Sequence, residues 1–267
     1  MAGSLFDLTG KVAVVTGGSR GIGRAISRQL ANHGARVVVS SRKLDACEQV
    51  VGEIVAGGGT ARARECHVGN LPDLETLVER TTEEWGGIDI LVCNASINPF
   101  YGPSADMPAE VFDRIITTNV TRTAQLCNLV LPQMAQRGQG AVLVVSSLGG
   151  MQGTDVLGAY NISKAAEMQL VRNIAVEWGP RNIRANCLAP GLIKTDFSRA
   201  LWENPGSAYF QSIRQLPLQR IGTPDDVAGI AVCLASDAGA FITGQTIAID
   251  GGKLIGRLPL PVPQDGG

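Results

Sequence analysis

Lys11-Val12-Ala13-Val14-Val15-Thr16-Gly17-Gly18-Ser19-Arg20-Gly21-Ile22-Gly23 is the stretch that decides how this chain folds. Residues 11–15 form a short, valine-rich run, the pattern of a strand buried on both faces. Residues 24–33 then read as an amphipathic helix stopped at Gly34. Between them Gly17, Gly21 and Gly23 are spaced Gly-x-x-x-Gly-x-Gly. Glycines let a backbone turn tightly and approach a pyrophosphate, whose charge is favoured at a helix N-terminus. A plain tight turn uses the same residues, so the position between strand and helix carries the weight.

The second strand, 36–39, runs into Ser40-Ser41-Arg42-Lys43. An NAD site would place an acid here, about 20 residues beyond the glycines, to hold the ribose hydroxyls. None is present. Ser41 and Arg42 instead offer a hydroxyl and a guanidinium, which suit a 2′-phosphate, and Arg20 in the glycine loop can add a second cation. This pattern predicts NADP(H). The alternative is that Arg42 and Lys43 open a solvated helix.

Alternation continues along the chain. Strands are predicted at 61–66, 88–92, 141–145, 183–188 and 246–249, with helices at 73–85, 108–137, 160–178 and 225–236. Residues 196–222 read as irregular. Such regularity predicts an α/β fold: a single-domain, Rossmann-type, doubly wound parallel sheet of about seven strands, with helices on both faces. The domain spans 1–252. Residues 253–267 form a proline-rich tail, extended over 258–263, that either packs on a neighbouring subunit or lies loose. Right-handed crossovers put the loops that follow the strands on one edge, where ligands bind. The glycine loop, Arg42, Asn94, Ser147 and Pro190-Gly191 all fall there.

The strand 141–145 ends in Ser146-Ser147, and a short polar loop leads to Tyr160-Asn161-Ile162-Ser163-Lys164. On a helix, residues four apart share a face. A phenol has a pKa of about 10, and lowering it by ~3 units takes roughly 4 kcal/mol of differential interaction. A lysine ammonium acts in that direction. Ser147 can hydrogen-bond a substrate oxygen while Tyr160 passes it a proton. On its own the pair also fits a half-buried ring beside a solvated amine.

Composition narrows the function classes. The chain has 267 residues, 45% of them hydrophobic, and a formal net charge of −1. Its mean hydropathy is +0.13 and its pI about 6.1. Nothing here is the electrostatic footprint of a nucleic-acid binder. No apolar run approaches the ~18 residues of a membrane span, and residues 1–7 carry no export signal. The six cysteines lack Cys-x-x-Cys spacing and read as free thiols in a reducing, cytoplasmic setting. His33 and His67 have no ligand-spaced partner, so no metal site is expected.

Taken together, the chain resembles the short-chain dehydrogenase/reductase family over about residues 8–252. Residues 16–23 match its cofactor loop, with Gly17, Ser19, Arg20, Gly21, Ile22 and Gly23 as contacts. Ser147, Tyr160 and Lys164 match its catalytic motif. By the same resemblance Asn119 is the helix asparagine whose backbone holds a water relaying protons to the lysine. Pro190 and Gly191 open the loop in which Ile193 and Thr195 touch the nicotinamide and phosphates. Asn94 and Ala95 line the cofactor, and His67 and Val68 stand near the adenine. Two departures stand out: Cys93-Asn94-Ala95-Ser96 replaces the usual Asn-Asn-Ala-Gly, and His67 replaces an acid. His67 either contacts the base or fills space.

Residues 66–69, 98–100, 181–184 and 188–195 resemble the NADPH-dependent carbonyl and retinal reductase branch. The resemblance implies a homotetramer packed through helices near 108–137 and 160–178 and the last strand. It implies reduction of a carbonyl, or the reverse, on a small molecule. Phe100, Tyr101, Met151, Leu157, Phe197, Trp202 and Phe210 lie in the segments that would enclose that substrate and favour an apolar one. A 3-oxoacyl-carrier-protein reductase shares every motif, with Arg137 and Arg181 facing an acidic carrier. NAD-linked alcohol, sugar or steroid dehydrogenases and a non-catalytic NADP-sensing protein are the other readings.

Overall fold

The β-branched apolar runs do form strands. The computed structural model describes residues 4–204, 208–256 and 258–259. It contains β1 (Val12–Thr16), β2 (Arg36–Ser41), β3 (Thr60–Glu65), β4 (Ile90–Cys93), β5 (Gly140–Val145), β6 (Ile183–Pro190) and β7 (Thr246–Ile249). They make one sheet in the order β3-β2-β1-β4-β5-β6-β7, with every pairing parallel. The helices among the described residues are α1 (Gly21–Asn32), α2 (Leu44–Ala56), α3 (Leu71–Trp85), α4 (Ala109–Ile116), α5 (Arg122–Arg137), α6 (Gly158–Trp178), α7 (Arg199–Trp202), α8 (Ala208–Ile213) and α9 (Pro224–Ala235).

A parallel sheet needs cover on both faces, and it has it. Ile26 and Leu30 of α1, Val50 of α2 and Val227 of α9 pack on one face. Leu74 of α3, Leu131 of α5 and Val171 of α6 pack on the other. Every residue of β1 and β4 is buried as a result. The chain runs outward from β1 through β2 to β3, then returns to β4 on the other side of β1. The order therefore reverses between β1 and β4, the place where doubly wound sheets open a crevice.

The structure refines several sequence expectations. The 108–137 stretch is helical throughout but not uniform: a π turn at Thr117–Thr121 separates α4 from α5 and carries Asn119. Residues after Lys43 do begin a helix, α2, so that alternative for Arg42 coexists with the cationic edge. The 196–222 segment is not wholly irregular, holding α7, α8 and a parallel bridge between Ile193 and Gly222. Of the tail, residues 253–255 are turns, and the Leu258 amide donates to the Gln215 carbonyl at 2.7 Å. Residues 260–263 of the expected extended run lie outside the described residues, as does Pro205. Among the described residues, no helix is long and apolar enough to cross a membrane.

Asp89 anchors the opposite end of the sheet. Its carboxylate is 3% exposed, accepts the Val12 amide at 2.8 Å and takes Arg137 at 2.8 Å. The Arg137 guanidinium also donates to the Gly86 carbonyl. Arg137 is thus engaged within its own chain. Removing one partner of a buried pair leaves an uncompensated charge. Arg137→Ala should cost about 3 kcal/mol, the low end for such a loss because Arg137 is part-exposed. Urea unfolding measures it; an unchanged midpoint would show that Asp89 does not need the arginine.

Candidate active site

Thr16, at the end of β1, ties three backbones together. Its hydroxyl donates to the Val92 carbonyl at 3.3 Å and accepts the amides of Asn94 and Ala95 at 3.1 and 3.2 Å. Asn94 returns the contact, its side-chain amide donating to the carbonyls of Thr16 and Gly17 at 3.0 and 3.2 Å. This clamp fixes the glycine loop against β4. Gly17 has φ +65° and Gly21 φ +53°, backbone that L side chains rarely adopt. Gly23 is required for a different reason: a Cβ there would lie 2.2 Å from the Gly17 carbonyl oxygen.

The loop delivers the start of α1 to the crevice with its first amides free of a side-chain cap and no acid in the first turn. Such an N-terminus favours an anion. Ser19 is part-buried in the loop, and Ile22 packs on the core beneath it. Arg20 and Arg42 are exposed and have no partner among the described residues. Ser41 lies beside them, its hydroxyl donating to the Lys43 carbonyl at 3.2 Å and 3.1 Å from Cys47 Sγ.

His67 follows β3 with its ring exposed; its Nδ1 accepts the Gly69 amide at 3.1 Å. Asp73 holds the turn by accepting the His67 amide at 2.8 Å, and Val68 packs on the core. Beyond β6, Pro190 is buried and the Gly191 amide donates to the Ile249 carbonyl. The loop then folds back so that Thr195 Cγ2 lies 3.2 Å from where a Gly21 Cβ would stand. The loops after β1 and β6 therefore meet, as do the expected contacts they carry.

The polar centre sits between β5 and α6. Ser147 stands two residues beyond β5 and its Oγ accepts the Gly149 amide at 3.1 Å, opening a single 3-10 turn. Tyr160 lies in the first turn of α6 and Lys164 one turn later, with Nζ 5.4 Å from the Tyr160 ring centroid. The Phe197 ring is 6.4 Å from that of Tyr160. Asn119 is fully buried; its amide donates to the Ile97 carbonyl and to Ser163 Oγ, both at 3.0 Å, while its oxygen accepts the Ile97 amide. Ser163 in turn donates to the Tyr160 carbonyl at 2.7 Å. Asn119 thus braces both the loop after β4 and the start of α6, and a π turn at such a place is a recurrent mark of a functional site.

Lys164 is 1% exposed. Its ammonium donates to the Val145 carbonyl at 3.0 Å and to both oxygens of Glu167, at 3.0 and 3.1 Å. Burial works against this ammonium, yet Glu167 and then Tyr160 hold its pKa above the usual lysine value. Burial also pushes the Tyr160 phenol up; Lys164 pulls it down, Glu167 pushes it up and a hydrogen bond with Ser147 pulls it down, leaving it above the ordinary phenol value. Sequence reasoning assigned Lys164 a lowering effect and the sign is right. It missed Glu167, whose only signal is an acid between Ala166 and Met168 in an apolar stretch of helix.

A family model described as enoyl-(acyl carrier protein) reductase matches residues 17–253. The chain belongs to the short-chain dehydrogenase/reductase family. Dehydrogenase/reductase SDR family member 4 of Sus scrofa is 46% identical over 245 residues, covering 92% of this chain and 88% of the relative. Among solved structures, a putative NAD(P)-dependent gluconate 5-dehydrogenase from Beutenbergia cavernae with bound NADP is 34% identical with a TM-score of 0.88. The match covers 94% of this chain and 99% of that one. A 7α-hydroxysteroid dehydrogenase complexed with NADH and 7-oxo glycochenodeoxycholic acid is 35% identical with a TM-score of 0.89, over 98% and 100% of the two chains. As a short-chain dehydrogenase/reductase the protein is an oxidoreductase.

The loop geometry makes one demand testable without knowing the substrate. Gly23→Ala sets a methyl against a backbone oxygen that cannot move without breaking the Asn94 clamp. Isothermal titration with NADPH and NADH should show binding weakened at least ~10-fold, a modest loss for a forced backbone shift. Unaltered affinity for the better ligand would mean that the loop is not the binding element.

Proposed function

We propose that the protein is an NADP(H)-dependent reductase of apolar carbonyl compounds, reversible as an alcohol dehydrogenase. The observation that carries this reading is the meeting, on one sheet edge, of an uncapped helix N-terminus, two guanidiniums without a partner among the described residues and the Ser147–Tyr160–Lys164 cluster. Gly17, Ser19, Gly21, Ile22 and Gly23 would hold the pyrophosphate. Arg20, Ser41 and Arg42 would hold the 2′-phosphate, with His67 and Val68 beside the adenine. Asn94, Ala95, Pro190, Gly191, Ile193 and Thr195 would line the nicotinamide half. Donating and accepting hydride is the chemistry a bound nicotinamide supplies.

The chain's own residues do the rest. Ser147 orients and polarises the carbonyl oxygen, and Tyr160 gives it a proton, or takes one from the alcohol in reverse. Lys164 lowers the proton affinity of the phenol and would hold the nicotinamide ribose. Asn119 completes the proton path through the backbone of its π turn. Phe197, beside Tyr160 and exposed, and the exposed Tyr101 and Met151 favour an apolar substrate over a sugar. All six cysteines are free, in keeping with a reducing, cytoplasmic setting. Ile162 and Val176, exposed on α6, support packing against a second copy in a homotetramer.

Two experiments test the reading. Fluorescence titration should give tighter binding of NADPH than of NADH, and Arg42→Ala should weaken NADPH alone, by roughly tenfold for the loss of a charge-assisted contact. Equal affinities untouched by the substitution would instead indicate an NAD-linked dehydrogenase. Tyr160→Phe should bind cofactor normally but lose ~10²–10⁴-fold in turnover. Normal turnover in that variant would exclude Tyr160 as the proton donor.

A further inference from the structure

Lys164 and Glu167 are the only ion pair among the described residues in which both side chains are buried, at 1% and 3% exposure. An ammonium has three protons to donate. Here Val145 and the two Glu167 oxygens account for three contacts, all on the side of α6 that faces β5 and β6. Such a pair is an expensive way to fill a core position, since the desolvation of both ions offsets much of their attraction. The position is next to the proposed proton donor, and that gives the pair a task.

We propose that Glu167 is a positioning residue that draws the Lys164 ammonium inward and so divides its charge between the carboxylate and Tyr160. The proposal rests on the reading of Tyr160 as the acid–base group. It adds that the proton affinity of Tyr160 is set by the balance of the pair and not by Lys164 alone.

The surroundings leave the pair to itself. Besides Lys164 and Tyr160 on α6, Glu167 faces Ser146 just after β5 and the thiols of Cys93 in β4 and Cys187 in β6, with Cys127 of α5 against Cys93. Cys93 is held neutral by its hydrogen bond with Cys127 and by burial, and Cys187 by burial first. Arg172 is the other cation felt in the cluster, and it acts on Cys187. Burial pushes the Glu167 carboxyl up to about 7, against the pull of Lys164. Below that pH the acid takes a proton and loosens its hold on the ammonium; above it the hold is complete.

The direction of the effect follows. Glu167→Gln keeps the size and one acceptor oxygen but removes the negative charge. The full ammonium then acts on the phenol, and Tyr160 should titrate about one pH unit lower, the shift expected when a like charge is removed nearby. Ultraviolet difference titration, each protein against its own Tyr160→Phe partner, reads this without substrate or turnover. The Tyr160-dependent limb of kcat for alcohol oxidation should move down equally. Wild type and variant should converge below pH 7, where Glu167 is itself neutral.

Glu167→Ala, which admits water around Nζ, should move the same way, and the charge-retaining Glu167→Asp should keep the wild-type profile. A phenol that titrates unchanged or higher in folded Gln and Ala variants overturns the proposal. A phenol that shifts in a protein without carbonyl or alcohol turnover upholds the positioning role and sinks the proposed reaction instead.

Discussion

The Asn94 side chain, donating to the carbonyls of Thr16 and Gly17 across the point where the strand order reverses, is the contact on which the functional edge depends. A parallel sheet covered on both faces leaves only its strand ends for chemistry. The connections leaving those ends pass to opposite faces of the sheet at the switch between β1 and β4, and the clamp joins them. The clamp holds them through two short polar side chains, and Gly23 exists to let the first turn of α1 close against it. From there the loop after β6 reaches Gly21 through Thr195, and the whole binding face becomes one surface.

The second layer is electrostatic. Tyr160, Lys164 and Glu167 form a row on α6, part-buried at Tyr160 and buried at the ion pair, in which one cation lies between a phenol and a carboxylate. Each group raises or lowers the proton affinity of the others, so their titrations belong to the set rather than to single residues. Asn119 and Ser163 make the row rigid from the opposite side by fixing the backbone of Tyr160. Packing thus supplies position and the buried charges supply reactivity, the two contributions a protein makes around a cofactor that carries the difficult chemistry.

Much of this was legible in the sequence because its physics is local. Strands buried on both faces read as valine-rich runs, glycines with positive φ mark the loop, and Tyr160 and Lys164 share a helix face by spacing alone. What stayed hidden is relational. Arg137 reads as a surface cation until the fold brings Asp89 under it. An acid three places beyond a lysine reads as a solvated helix pair until its face proves to be the core. The π turn at Asn119 leaves no trace in hydrophobic periodicity, because the helix resumes in α5. The departure at Cys93 and Ser96 proves mild: the clamp uses the side chain of Asn94 and the backbone of Ala95, and the flanking residues are not part of it.

The most direct test of the central claim is a crystal structure of the ternary complex with nicotinamide cofactor and a slowly reduced apolar ketone. The account predicts the ketone oxygen within hydrogen-bond distance of both Ser147 Oγ and the Tyr160 hydroxyl, with the carbonyl carbon turned to the cofactor. A productive complex with that oxygen held elsewhere would contradict it.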